Sequence, residues 1–310
     1  MRIPKSLKKG DTIGLISASS PTPPEVLPEA VKRVEALGFN VVVGETCREK
    51  HGYLAGTDKL RAQEVNQMFS DPKIDGIFCI RGGYGATKIL PYLDYEMIKA
   101  NPKVFAGYSD VTALHIAFHQ KCGFVTYHTP MPSTEFVKPE MDEYSWNSFI
   151  STVMNTEASG YRLENPEGEP LTTLVGGEAT GQLVGGNLTL VVASLGTPYE
   201  IDTKGKILFL EDIDEYERSI DRMLTHLKLA GKLDDAEGLL LGAWTDCGPQ
   251  NPKRPEQSLR LQTIFDEILI PIGKPILKDM VCGHCLPTMS LPLGRTVTFK
   301  TDSQIIEVIE

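Results

Sequence analysis

Short apolar runs alternate with stretches of helical period from residue 12 to residue 127, and this alternation sets the fold class. Residues 12–17, Asn40–Val43 and residues 74–80 read as strands, continuous in their apolar character as strands of a covered parallel sheet are. Between them, residues 24–37 place Val26, Ala30, Val31, Val34 and Leu37 on one helical face, with Gly38 as the stop. Thr57-Asp58 opens a second helix through Phe69, with Leu60, Val65 and Met68 turned inward. Residues 104–106 and 124–127 continue the strand series. A βαβαβ succession predicts an α/β domain built on a doubly wound, mainly parallel sheet.

At 310 residues the chain is long enough for about two such domains. From residue 155 to residue 180 Glu, Pro, Gly and Thr dominate and the apolar period is lost. The expected division is therefore an N-terminal domain over 1–155, a linker over 156–180 and a C-terminal domain over 181–310. Beyond the linker, Gly185-Gly186-Asn187 leads into a helix over 188–195. A strand over 205–210 ends at Glu211-Asp212, and residues 219–229 and 261–269 have helical period. Residues 239–242 form an apolar strand, and 294–299 with 304–309 close the chain as a strand pair.

The net charge of −10 argues against general affinity for nucleic acid or an anionic membrane. No apolar run approaches the ~18 residues of a membrane span. The basic residues 1–9 are followed by Gly10-Asp11 and a strand, so no export signal is expected. Six sparse cysteines fit reduced thiols, and the expected location is the cytoplasm.

Chemistry concentrates first at Gly107-Tyr108-Ser109-Asp110-Val111. An apolar run ends at Gly107, and a helical pattern follows Ser109 with Val111, Leu114 and Phe118 on one face. A serine at a sharp strand-to-helix turn has its hydroxyl lifted clear of the sheet, beside N–H groups at a helix start. The last glycine of G-x-S-x-G is missing, and a cap formed by Ser109 or Asp110 would explain the same residues.

Arg81-Gly82-Gly83-Tyr84-Gly85 stands between the third strand and a helix. It matches neither phosphate-loop spacing. It reads instead as a loop whose backbone approaches a ligand closely, in the crevice it shares with Ser109 beyond the strand ends. Arg81 is a candidate partner for a carboxylate, or a surface arginine beside a tight turn.

Glu211 ends a strand, where polar side chains become functional in α/β folds. The cluster Glu211, Asp212, Asp214, Glu215 and Glu217 lacks the spacing of a calcium loop and reads as a solvated acidic turn. His284 lies in Cys282-Gly283-His284-Cys285, which matches a disulfide-exchange motif. Its late position, with no helix opening after it, fits a base on a flexible turn better. No second Cys or His pair has zinc spacing. His115 and His119, without the glutamate of H-E-x-x-H, read as packing or hydrogen-bonding residues. His128 follows a strand and is expected to line the crevice.

Gly107-Tyr108-Ser109-Asp110, Arg81-Gly82-Gly83-Tyr84-Gly85, Gly185-Gly186-Asn187-Leu188, Leu208-Phe209-Leu210-Glu211-Asp212, Ile220-Asp221-Arg222-Met223-Leu224 and Gly283-His284 form an ordered set. Together they resemble the L,D-carboxypeptidase family of serine peptidases, which includes muramoyltetrapeptide carboxypeptidases and microcin C self-immunity peptidases. The resemblance implies an N-terminal α/β domain, a C-terminal β-rich α/β domain, and an active site in the cleft between them. It implies Ser109 as nucleophile, Glu211 as orienting carboxylate and His284 as base. It further implies an oxyanion hole from the N–H groups of Asp110 and Gly83, with Arg81, Gly82 and Tyr84 at the substrate. No metal or cofactor is implied, and the protein is expected to be a homodimer. Cys282 and Cys285 depart from the family pattern and would leave activity sensitive to oxidation.

The expected activity is removal of the terminal D-Ala from murein tetrapeptides in cell-wall recycling. The runner-up is cleavage of a toxic aminoacyl-nucleotide by a self-immunity peptidase. A non-catalytic two-domain ligand-binding protein is the reading from another class.

Overall fold

The computed structural model describes residues 1–310. The chain divides into two compact units. The first is Met1–Ala158 with Leu286–Gly294, and the second is Ser159–Cys285 with Arg295–Glu310.

The first unit is built on a six-stranded sheet. Its strands are β1 (Thr12–Ile16), β2 (Asn40–Val43), β3 (Gly76–Cys79), β4 (Val104–Gly107) and β5 (Thr126–His128), joined by Leu291–Leu293, which is β12 in chain order. The order is β12-β5-β4-β3-β1-β2. All neighbours are parallel except β12, which runs antiparallel to β5 with Leu291 opposite His128. From β1 the chain winds outward to β2 and then returns to β3 on the other side. The loops after β1 and β3 therefore flank the point where strand order reverses, where open α/β sheets bind ligands.

Helices cover both faces. On one face α1 (Leu27–Ala36) and α6 (Glu143–Met154) bring Ala30, Val34, Phe149 and Val153 onto Leu15, Phe78 and Tyr127. On the other, Phe69 of α2 (Asp58–Ser70) and Phe118 of α5 (Thr112–Cys122) meet Phe105 and Phe124 at ring distances of 5.0–6.0 Å. Removing one such ring costs about 3–5 kcal/mol. Two short helices complete the unit, α3 (Ala86–Ile89) and α4 (Tyr95–Ala100).

The elements depart from the sequence reading in instructive ways. The first helix begins at Leu27 rather than residue 24, with Pro28 in its first turn, where a missing N–H does no harm. The helix after Ser109 is not amphipathic: every residue from Thr112 to His119 is buried. His115 and His119 are hydrogen-bonded packing residues, as read from the sequence, and both are buried; so is His128, at 1 % exposure. None of the helices is long and apolar enough to cross a membrane.

The second unit carries an eight-stranded mixed sheet. Its strands are β6 (Tyr161–Arg162), β7 (Thr172–Val175), β8 (Glu178–Asn187), β9 (Lys206–Ile213), β10 (Gly238–Thr245), β11 (Ile276–Lys278), β13 (Thr296–Lys300) and β14 (Ile305–Val308). The order is β6-β14-β13-β8-β9-β10-β11-β7. The run β8-β9-β10-β11 is parallel, and antiparallel strands flank it. Four helices belong here: α7 (Leu188–Ala193), α8 (Glu217–Leu229), α9 (Lys232–Asp235) and α10 (Leu261–Ile268). The stretch over 156–180 holds β6, β7 and the start of β8. Both β6 and β7 are edge strands, short and without a fully buried residue, so their apolar period is faint.

Candidate active site

Ser109 follows β4 directly and has φ +66°, a left-handed conformation that costs a non-glycine residue of order 1–3 kcal/mol. The surroundings over-determine the turn. His115 Nε2–H, one helical turn on, donates to Gly107 O at 2.9 Å. The Thr129 N–H donates to the same carbonyl at 3.2 Å. The hydroxyl of Tyr108 donates to buried Glu135 at 3.0 Å, whose other oxygen accepts from the Met131 N–H at 2.9 Å.

The capping explanation does not hold. No side chain caps the start of α5, and the Asp110 carboxylate accepts instead from the Ala86 N–H at 2.7 Å. Burial pushes this carboxyl above its usual range, while bonds from Ser19, Ala86 and Gly85 and the charge of Arg61 oppose the rise.

The glycine loop reaches this turn. A Cβ on Gly82 would stand 2.9 Å from Ser109 Cβ and 3.1 Å from its Oγ, so only glycine lets the backbone pass so near. Gly82 O accepts from the Ser20 N–H at 3.3 Å, and the Tyr84 N–H donates to Ser20 Oγ at 3.1 Å. Gly83 lies between these ties at φ +114°. Arg81 is half-buried, its Nη1 donating to Pro21 O at 3.0 Å. Tyr84 is exposed and meets the ring of Tyr53 edge-on at 5.3 Å.

In the second unit, β9 carries Glu211 at 0 % exposure. His284 Nδ1 donates to Glu211 Oε2 at 2.7 Å, a length typical of a charge-assisted bond. This fixes the ring by its Nδ1 edge, with Nδ1 carrying the proton of the neutral imidazole. The imidazole is further held through its own backbone, because Thr245 Oγ1 donates to His284 O at 2.6 Å. At Gly283, φ is +115° and a Cβ would lie 2.6 Å from Glu211 Oε2.

The acidic cluster is not a solvated turn as a whole. Glu211, Asp212 and Glu217 are buried, and only Asp214 of the five is fully exposed, apart from half-buried Glu215. Asp212 accepts from Asn187 Nδ2 at 2.7 Å, Thr189 N–H at 3.0 Å and Thr189 Oγ1 at 2.8 Å. Burial raises its pKa, and the charge of Glu211 adds to the rise. Asn187 also caps α7 by accepting from the Leu190 N–H at 3.2 Å. These supports escaped the sequence reading, although Gly185-Gly186-Asn187 pointed at the place. The cysteines of the C-G-H-C stretch form no disulfide. Cys282 is buried with its thiol pushed well up by desolvation, the reverse of a redox-active cysteine.

Comparison with known proteins agrees over both units. Residues 13–129 match the LD-carboxypeptidase N-terminal domain and residues 180–299 the LD-carboxypeptidase C-terminal domain. The chain belongs to the LD-carboxypeptidase family, and it is a serine-type carboxypeptidase, a hydrolase. It is 43 % identical to a Bacillus subtilis protein named "Probable murein peptide carboxypeptidase", over 96 % of this chain and 91 % of that one. It is 30 % identical to the Escherichia coli microcin C7 self-immunity protein MccF, over 98 % of this chain and 94 % of that one. A structure of MccF with glutamyl sulfamoyl guanosine superposes with a TM-score of 0.91 at 28 % identity, covering 100 % of this chain and 99 % of that one. The muramoyltetrapeptide carboxypeptidase of Oxalobacter formigenes shares the fold, with a TM-score of 0.81 at 24 % identity over 96 % of this chain and 97 % of that one.

Proposed function

We propose that this chain is a cytoplasmic L,D-carboxypeptidase of cell-wall recycling that removes the terminal D-Ala from murein tetrapeptides. The observation that carries the reading is the Glu211–His284 hydrogen bond of 2.7 Å, in a chain whose Ser109 is held in a left-handed turn. His284 Nε2 takes the Ser109 proton as the hydroxyl attacks the scissile carbonyl, and Glu211 stabilises the imidazolium. The Asp110 and Gly83 N–H groups receive the oxyanion, each such donor contributing on the order of 3 kcal/mol. The D-Ala amine leaves with the proton from His284, and water then hydrolyses the acyl-enzyme. Arg81 meets the carboxylate of the substrate, and Gly82 and Tyr84 line its path. The 43 % identity to the Bacillus subtilis protein supports a muropeptide as substrate. A homodimer accompanies the reading, as the family resemblance implies.

A second reading, cleavage of an aminoacyl-nucleotide, draws on the MccF likeness. The tryptophans weigh against base stacking: Trp146 lies 4.6 Å from the ring of Phe136 and Trp244 lies 5.2 Å from that of Phe265. The deciding experiment is mass-spectrometric detection of D-Ala released from a murein tetrapeptide with EDTA present, for wild type and Ser109→Ala. Release by wild type alone is expected. Release by both would overturn the Ser109 mechanism, and release by neither would transfer the assignment to the aminoacyl-nucleotide.

A further inference from the structure

Three loops meet beyond the carboxyl ends of the central strands of the first unit. One follows β1 and contains Ala18 to Ser20, one follows β3 and contains Gly82 to Gly85, and one is the Ser109 turn after β4. Arg61, on α2, is 1 % exposed and among the largest side chains wholly inside the protein. Its Nη1 donates to Ala18 O and, at 2.9 Å, to Gly85 O, while Nη2 pairs with Asp58 at 2.6 Å. Asp110 is 3 % exposed, and its carboxylate accepts from the N–H groups of Ala86 and Gly85. Gly85 is thus held on both sides, its N–H by an anion and its C=O by a cation.

A buried arginine and a buried aspartate are costly to keep unless something requires them. Neither is used by the proton transfers. Both fix the glycine loop, and Asp110 is the residue whose own N–H adjoins the Ser109 turn. We propose that the Asp110 carboxylate and the Arg61 guanidinium are positioning groups that lock the Gly82–Gly85 loop against the nucleophile turn and so keep the two oxyanion donors in register. The inference rests on Ser109 being the nucleophile and on the N–H groups of Gly83 and Asp110 being the donors. It gives the Asp110 side chain a role separate from that of its backbone.

The lock acts on the transition state more than on substrate binding, because oxyanion donors engage only as the carbonyl becomes tetrahedral. A loop displaced by ~1 Å loses on the order of 100-fold in rate. Asp110→Asn keeps the shape of the side chain and one acceptor oxygen but leaves buried donors less well satisfied, so the effect on activity is read per titrated site, separately from any loss of folded protein.

The test compares wild type, Asp110→Asn and Arg61→Lys. Active sites are titrated with a fluorophosphonate and the label is mapped by mass spectrometry. Turnover of a murein tetrapeptide is then expressed per titrated site, alongside KM and the affinity of a phosphonate tetrahedral analogue. The expected result is a fall in kcat per site of about 10- to 100-fold in both variants, with KM within roughly threefold and analogue affinity falling in step with kcat. Unchanged kcat per site, with any loss of total activity explained by fewer titratable sites, would reduce both residues to structural supports and overturn the proposal. Failure of the underlying reading looks different: wild type itself would show no label on Ser109, and the positioning role would fall with it.

Discussion

A methyl group on Gly82 would stand 2.9 Å from the Cβ of Ser109 and 3.1 Å from its Oγ. The backbone of the glycine loop and the side chain of Ser109 are therefore in van der Waals contact, with no space for anything between them. Gly82→Ala must move Ser109, the loop or both. Because the loop is tied down by Ser20 and Arg61, the variant is expected to keep its melting temperature within a few degrees while kcat falls by about 100-fold or more. Calorimetry and steady-state kinetics on the same preparation check this.

The Glu211–His284 bond sets the tautomer of the imidazole. Glu211→Gln preserves volume but presents a neutral amide to Nδ1, so the imidazolium formed during attack is no longer stabilised. A loss of about 10⁴ in kcat is expected, with little change in KM. A loss below tenfold would mean that Glu211 is not the orienting carboxylate.

Gly283 tests the same pair from the backbone. At φ +115° an alanine is strained, and its methyl would press on Glu211 Oε2, Cγ and Cβ at 2.6–3.0 Å. Gly283→Ala is expected to lower activity as deeply as Glu211→Gln. The double variant should be little worse than either single one, because both break one unit. Additive losses would contradict the shared cause.

Acid should weaken the fold through His115. Burial lowers its pKa from 6.5 to about 4, opposed only by its bond to Gly107 O. The folded state therefore favours the neutral ring. Its contribution is complete above about pH 6.5 and is lost as the pH falls through about 4, roughly 3 kcal/mol in all. Asp110, Glu64 and Asp212, whose pKa values burial raises, act in the opposite sense as the pH falls. The difference between wild type and His115→Gln isolates the histidine: urea midpoints at pH 7 and pH 4.5 should diverge for wild type more than for the variant.

The parts of this structure written in local pattern were legible from the chain. Strand β2, helix α2 with its Thr57 cap, and the closing pair β13–β14 follow from period and capping chemistry, which depend on neighbours in sequence. The α/β class followed from the same alternation, and the expectation of two domains from the length and the change of composition after residue 155. What escaped depends on partners far away along the chain. Nothing local marks Arg61 as buried, since its burial is made possible by Ala18 O and Gly85 O. Edge strands β6 and β7 look like linker because an edge needs little apolar surface. Helix α5 looked two-faced because its polar residues, among them His115 and His119, find buried partners in Gly107 O and Thr126 Oγ1. At the candidate site Ser109, Glu211 and His284 stood out within an ordered set of motifs, whereas the bonds that tie Asn187 and Thr189 to Asp212 did not, because they span 25 and 23 positions.

The segment Leu286–Gly294, which carries strand β12, rejoins the first unit 128 positions after that unit's main segment ends at Ala158. Leu291 and Leu293 are fully buried there, and their backbone covers the edge of β5. The unit is thus finished by donation from the distal part of its own polypeptide. A ribosome emitting the first 158 residues emits a sheet with a bare edge, open to pairing with a second nascent copy until the late strand arrives. Any attempt to express that half alone inherits the same unfinished edge, and grafting residues 286–294 onto its end is the minimal repair.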